Sequence, residues 1–284
     1  MRPHLWLVVL AATTAGCGGL VTGGGTPTVT PVDVPAQSTP TETPARIAPG
    51  VARFGVVDTS ALGTAHADLL ERRSFTLRQR LRVKPQADPD SQWITYEERI
   101  AVETRTHYSV SNSEVYYREG DYPVVRNNTE YAAGGWIYSR YGGDPEATTY
   151  DVRRMRGPPG FTAEINETIQ RYLTVAESNV TIGRFDGQRY YLIRGKTAKS
   201  TRVNPIYNLT VTAYVTEEGF VRALNASFIG GNTDSVLYYE YSFTYRKVGE
   251  TTVDRPAWID AAREQSNLSA GTPAGGTPTA ETAR

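Results

Sequence analysis

Apolar and polar residues alternate along most of the middle of the chain, and this two-residue period constrains the fold more than any other feature. In an extended strand successive side chains point to opposite faces, so alternation is typical of a sheet with one buried face. The pattern is clearest in residues 75–84, 94–105 and 237–246. All 18 tyrosines lie between Tyr96 and Tyr245, which places the folded core in the same region. The pattern therefore predicts an antiparallel sheet.

Two segments show helical spacing of apolar residues instead. The first covers about residues 60–73, with Ser60 as its N-cap, and the second covers about residues 162–178. His66 lies one residue from the apolar stripe of the first helix, which favours a surface or boundary position over a ligand role. The predicted fold is α+β, a curved antiparallel sheet of about eight strands, or half-barrel, that wraps two helices. After the last strand we expect a short turn or helix in which Trp258 packs back onto the sheet.

Three polar residues fall on strand faces that are otherwise apolar. If residues 75–84 and 94–105 pair with their apolar faces together, Gln79 lies opposite Glu98 on that face. The same alternation places Arg222 on the inner face of its strand. A buried polar group needs a hydrogen-bond partner or access to a cavity, so Gln79, Glu98 and Arg222 are predicted to be polar residues of a cavity. The alternative for all three is the rim of the sheet, and Glu98 is one candidate partner for Arg222.

The two ends of the chain differ in composition from the middle. Residues 1–16 have the layout of a secretory signal, with a basic start, an apolar run and small residues before Cys17. Residues 17–50 are rich in Gly, Thr and Pro and are predicted to be a disordered tether that begins at Cys17. Residues 265–284 have the same character and are predicted to be a disordered tail. One domain is therefore expected at 51–264.

Cys17 is the only cysteine, and it follows Ala15 and Gly16 directly. This arrangement resembles the lipobox of prokaryotic lipoproteins, in which the cysteine receives a glyceryl lipid and becomes the first residue after cleavage. The resemblance implies that Cys17 is lipidated and holds the protein on the outer face of the cytoplasmic membrane. The alternatives are a secreted protein with an incidental cysteine, or a thiol buried in the core.

Six N-x-S/T sequons favour a glycosylated surface protein if the chain is exported. The candidate sites are Asn127, Asn166, Asn179, Asn208, Asn225 and Asn267. Alternation places Asn208 and Asn225 opposite their apolar neighbours, so both are predicted to point outward.

Composition and motifs argue against several classes of function. The 30 basic and 30 acidic residues balance, which argues against general affinity for nucleic acid. The chain has no metal-ligand spacing of Cys and His, no nucleophile elbow and no phosphate-binding loop, so no catalytic residue, metal or cofactor is predicted. The basic stripe on the polar side of residues 75–84, with Arg80 or Arg82 near Glu97, is interpreted as a solvated sheet face.

A set of short motifs resembles a family of uncharacterised haloarchaeal lipoproteins. The residues that carry it are the lipobox at Cys17, the Thr-Pro tether, Leu69-x5-Phe75-x-Leu77, Asp186-Gly187-x-x-Tyr190, Glu218-Gly219-Phe220-Val221-Arg222 and Pro256-Ala257-Trp258-Ile259. The plan is also similar to the LolA/LppX class of lipoprotein carriers, in which a half-barrel sheet wraps helices around a hydrophobic cavity.

This second resemblance implies a non-enzymatic protein that binds or carries a lipid or other apolar ligand in a cavity between sheet and helices. The expected partners are that ligand and the membrane, reached through the lipid anchor. The alternatives are a structural or interaction glycoprotein of the cell envelope and an accessory subunit of an envelope complex.

Overall fold

The computed structural model describes residues 45–88, 90–117, 123–142, 147–198, 206–231 and 236–270. Three short strands form a small sheet, namely β1 (Arg46–Ala48), β2 (Val51–Ala52) and β3 (Gly55–Val56). Eleven strands form the main sheet, namely β4 (Phe75–Pro85), β5 (Ile94–Thr104), β6 (His107–Tyr117), β7 (Pro123–Ala133), β8 (Trp136–Tyr141), β9 (Thr149–Arg154), β10 (Val175–Phe185), β11 (Gln188–Ala198), β12 (Tyr207–Val215), β13 (Val221–Gly231) and β14 (Val236–Arg246). The helices are α1 (Thr59–Leu70), α2 (Phe161–Leu173) and α3 (Ile259–Ala270).

The main sheet has the strand order β10-β11-β12-β13-β14-β4-β5-β6-β7-β8-β9, and all its neighbours are antiparallel. The sheet is open, with β10 and β9 as its edges. The predicted α+β class with a large antiparallel sheet is confirmed. The strand number was underestimated, since the main sheet has eleven strands and not about eight; β9, for example, is only six residues long.

Both predicted helices exist, with shifted ends. The N-cap of α1 is Asp58, whose side chain accepts a hydrogen bond from the Ala61 amide at 2.9 Å, whereas the predicted cap Ser60 lies in the first turn. The second helix, α2, ends at Leu173, earlier than predicted. The following residues from Val175 pair with β11 instead, so strand pairing overrides their helical spacing.

The two helices pack against each other and against one face of the main sheet. A Cβ atom added to Gly63 of α1 would lie 1.9 Å from Asn166 Oδ1 of α2, so the helices approach closely only because this residue is glycine. The core between them and the sheet is filled by fully buried side chains, among them Leu62, Phe75, Leu77, Ile100, Ile165, Ile169, Leu173, Phe243 and Tyr245.

The third helix packs on the opposite face of the main sheet. There Ile259 and Ala262 of α3 form a second buried cluster, together with Ala101, Tyr131, Tyr138 and Val253. These strand residues alternate with Ile100, Ala132 and Ile137, which belong to the core under α1 and α2. Just before α3, Trp258 stacks on Tyr150 of β9 with ring centroids 6.0 Å apart, so it packs back onto the sheet as the sequence predicted.

The folded part begins before residue 51. Ala48 of β1 is buried in the main core beside Val51, although the sequence assigned Ala48 to the tether. At the other end α3 continues to Ala270, beyond the predicted domain end at 264. The predicted signal segment, Cys17, most of the tether and the tail beyond 270 lie outside the described residues.

Candidate functional site

A row of polar side chains crosses the helix-facing side of the main sheet. Gln79, Glu98, Asn112 and Asn128 occupy directly opposed positions on β4, β5, β6 and β7. The pairing of Gln79 with Glu98 is the one that the sequence predicted. Sequence reasoning missed Asn112 and Asn128, because β6 and the middle of β7 carry polar residues on both faces and show no alternation.

Hydrogen bonds join this row to the helix-covered core. The Tyr241 hydroxyl donates to Gln79 Oε1 at 2.5 Å, and Gln79 Nε2 donates to Glu98 Oε2 at 2.7 Å. In the amide orientation that its neighbours require, Asn112 donates to Glu98 Oε1 at 2.9 Å. The carboxylate of Glu98 is therefore held by two neutral amides.

The surroundings of Glu98 make its carboxyl a weaker acid than an exposed glutamate. Burial raises the pKa of the Glu98 carboxyl, the hydrogen bond from Gln79 opposes this, and the negative charge of Glu164 on α2 raises it further. Burial also raises the pKa of Tyr241, so its hydroxyl stays a neutral donor.

Beyond the polar row, the same face carries an open groove of about 640 Å³. Its apolar surface comes from Leu81, Tyr96, Tyr141 and Tyr241, and the polar row lies along one side. Tyr96 and Tyr141 are 40% and 44% exposed. We call this site the apolar groove.

The position of the apolar groove corrects the predicted cavity between sheet and helices. Every lining residue belongs to a strand of the main sheet, or is Gly142 directly after β8. The space under α1 and α2 is instead packed, with Ile165, Ile169 and Leu173 buried. The groove therefore lies beside the helix pair, on the part of the sheet lined by strand residues alone.

One ion pair lies at the side of the apolar groove. Arg126 Nη1 is 3.9 Å from Glu114 Oε2, and the guanidinium lies over the Tyr116 ring at 5.1 Å. Burial, the charge of Glu114 and a hydrogen bond to it raise the pKa of Tyr96. The groove thus combines an apolar surface with polar groups on two sides.

Arg222 does not join Gln79 and Glu98 at this groove. The pairing of β12 with β13 is irregular at one point. Tyr214 pairs with Ala223, but the next residue, Val215, pairs with Val221 and not with Arg222. This β-bulge gives β13 one extra residue, so Val221 takes the core-facing position that strict alternation assigned to Arg222. Arg222 instead lies 3.4 Å from Asp186 in the turn before β11.

His66 is fully buried, which corrects the predicted surface or boundary position. Its Nδ1 accepts a hydrogen bond from the Val221 amide at 3.1 Å, so the proton is on Nε2, which donates to the Tyr245 hydroxyl at 3.2 Å. The ring stacks on Phe220 with centroids 5.2 Å apart. Burial lowers the pKa of His66 to about 3, so the ring is a neutral structural element of the core.

The sequons occupy different environments. The asparagines that are exposed are Asn127, Asn179, Asn208 and Asn225. Asn166 is half-buried, faces Gly63 and accepts a hydrogen bond from Gln170 at 2.9 Å, so a glycan on it would separate α1 from α2. The side chain of Asn267 lies outside the described part of the chain.

Two kinds of feature are absent from the described residues. No three or more His, Cys, Asp or Glu side chains in these ranges are grouped so that they could hold a metal ion. No helix in the same ranges combines the length and the apolar character that a membrane span requires.

Several solved structures are similar to this chain. LprF from Mycobacterium bovis is 10% identical with a TM-score of 0.36, and the match covers 72% of this chain and 98% of that one. The LolA superfamily protein NE2245 from Nitrosomonas europaea is 10% identical with a TM-score of 0.25, covering 71% and 96%. A DUF1329 family protein from Desulfovibrio piger is 11% identical with a TM-score of 0.21, covering 74% and 97%.

A search of curated protein sequences finds no match. A family model, in contrast, matches residues 4–262, which is most of the chain. This protein therefore belongs to the family of unknown function DUF7537.

Proposed function

We propose that this protein binds a lipid or another apolar ligand in the apolar groove. The observation that carries the proposal is the exposed apolar surface of Tyr96 and Tyr141 around a groove of about 640 Å³. Ligand pockets have volumes of about 300–1,000 Å³ and are lined mostly by apolar side chains. Covering such a surface is worth about 25 cal/mol per Å² of apolar area, which provides the driving force for binding.

The polar row indicates what the ligand carries at one end. Asn128 Oδ1 lines the groove, is buried, and accepts no hydrogen bond within the described structure. A buried acceptor without a donor is unfavourable by about 1–3 kcal/mol, and a ligand hydroxyl or amide would supply the donor. Glu98, whose carboxyl pKa is raised, lies in the same row as Asn128, two strands away, and offers a second polar contact. The ligand we propose is amphipathic, with a long apolar body and a hydroxyl or amide end.

The test is a titration of the full chain with a fluorescent polyene fatty alcohol, followed by emission. Tyr96→Arg places a guanidinium on the apolar surface and is expected to weaken binding by about tenfold or more. Ile182→Arg is the matched control, because Ile182 is 62% exposed on the edge strand β10 and does not line the groove. Equal binding by both variants and the unmodified protein would contradict the proposal. Absence of binding in all three would favour the alternative of a structural or interaction glycoprotein.

We also propose that the protein is anchored outside the cell through a lipid on Cys17. The support is the signal-like segment 1–16 and the small residues that precede the only cysteine. A glyceryl lipid with two chains is sufficient for stable anchoring. Mass spectrometry of the N-terminal peptide should find a lipidated Cys17, and Cys17→Ser should move the protein from the membrane to the soluble fraction. An unmodified thiol in membrane-derived protein would refute the anchor.

A further inference from the structure

The opposite face of the main sheet carries a second groove, of about 620 Å³, walled by arginines. We call it the arginine groove and define it by Arg78, Arg80, Arg99, Arg140 and Arg246. One row of directly opposed positions crosses six strands here, in the order Thr244, Arg78, Arg99, Ser111, Thr129 and Arg140. Ser111 and Thr129 have short side chains, so they form the bottom of the groove between Arg99 and Arg140.

The charges of this row are not balanced within the sheet. Arg78 lies directly opposite Arg99, and like charges in opposed positions destabilise a sheet. Within the ranges that the structure describes, only Arg80 among the five arginines has a carboxylate partner, Glu97 at 2.5 Å. The side chain of Glu98, although close in sequence, is hydrogen-bonded on the other face of the sheet.

Arg140 gives a second, independent indication of a missing partner. Its Nε atom is buried and makes no hydrogen bond in the described structure. An unsatisfied donor on a charged group is costly, and the cost is removed when an anion accepts the hydrogen bond. Arg140 lies at one end of the row and the Arg78–Arg99 pair lies nearer the other, with the hydroxyl residues Ser111 and Thr129 between them.

We propose that the arginine groove binds a ligand that carries clustered phosphate oxyanions. Guanidinium groups match phosphate oxygens in bidentate geometry, and serine and threonine hydroxyls add neutral donors. The sequence alone favoured a solvated face, because it showed the arginine stripe of β4 and its pairing with β5 but not that Ser111, Thr129 and Arg140 continue the same row. The proposal is independent of the apolar groove, which opens on the other face of the sheet.

Phosphate oxygens come either from a free ion or from a lipid headgroup, and two measurements separate these sources. The first is calorimetric titration of the full chain with inorganic pyrophosphate at low and at high salt. The second is cosedimentation with vesicles of phosphatidylglycerol, compared with vesicles of phosphatidylcholine. A lipid anchor would insert into both kinds of vesicle equally, so it does not affect the comparison. Pyrophosphate binding that weakens with salt supports a free ion, and a preference for phosphatidylglycerol alone supports a headgroup. Absence of both would overturn the proposal.

Arg99→Gln tests the groove itself, and Arg194→Gln is the matched control. Arg194 is exposed on β11 of the same sheet, outside the groove, and its replacement removes the same charge. We expect Arg99→Gln to weaken anion binding by about tenfold or more and Arg194→Gln to leave it unchanged. Without ligand, Arg99→Gln should raise the melting temperature by about 1–3 °C, because the opposed charges are relieved. Equal binding by the two variants, or a melting temperature that falls, would refute the assignment.

Discussion

The buried histidine makes the stability of this protein sensitive to mild acid. His66 keeps its neutral form in the folded core, where burial lowers its pKa from the usual 6.5 to about 3. In the unfolded chain the same ring takes up a proton below its usual pKa. The contribution of His66 to folding is therefore fully present above pH 6.5 and is lost as the pH falls towards 3.

The size of the effect follows from the two pKa values. Between them the unfolded chain holds one proton more than the folded protein, so the free energy of unfolding falls by about 1.4 kcal/mol per pH unit. From pH 7 to pH 5 the loss due to His66 alone is about 2 kcal/mol. This is a large part of the stability of an ordinary domain, which is about 5–15 kcal/mol.

The assay is urea unfolding at pH 7, 6 and 5 for the protein and for His66→Gln, which has no titrating ring. The variant is expected to be less stable at pH 7, because it loses the fit between Phe220 and Tyr245. The difference between the two proteins in free energy of unfolding should shrink by about 2 kcal/mol from pH 7 to pH 5. Both proteins have the same carboxylates, so the effect of these groups cancels in the difference. A difference that stays constant with pH would refute a neutral, buried His66.

Further predictions concern the helix contact and the polar row. Gly63→Ala should lower the free energy of unfolding by about 1–3 kcal/mol, because the new methyl group overlaps Asn166. The control in the same thermal melt is Gly157→Ala, because the space around Gly157 is open. Gln79→Leu removes a hydrogen bond that lowers the pKa of Glu98, so that pKa should rise further in an NMR titration of the carboxyl carbon. An unchanged Glu98 pKa, or equal melting of the two glycine variants, would contradict these contacts.

Strand pairing was the part of the fold that the sequence predicted best. The alternation in β4 and β5 sets the register, since a shift of one residue would expose every apolar side chain. Asp186 and Gly187, which belong to one of the motifs noted in the sequence, form the two-residue turn between β10 and β11, and both have positive φ, 49° and 78°, as such a turn requires. Of the two arginines expected near Glu97, Arg80 lies there and forms an ion pair with it, whereas Arg82 pairs with Glu240.

The remaining features depend on contacts between distant segments. Arg222 was misplaced because a bulge depends on the partner strand and leaves no mark in the alternation of β13. His66 was misplaced because its partners, Val221 and Tyr245, lie more than 150 positions away in the chain. Asn112 and Asn128 join the polar row only through the pairing of β5, β6 and β7, which their own sequence pattern does not reveal.

The central claim is that the apolar groove holds an apolar ligand, and native mass spectrometry of the protein isolated from its own membranes tests it most directly. We expect a population heavier than the processed chain by the mass of one amphipathic lipid, released on collisional activation and reduced in Tyr96→Arg but not in Ile182→Arg. Detection of the processed chain alone, both as isolated and after incubation with a lipid extract, would contradict the account.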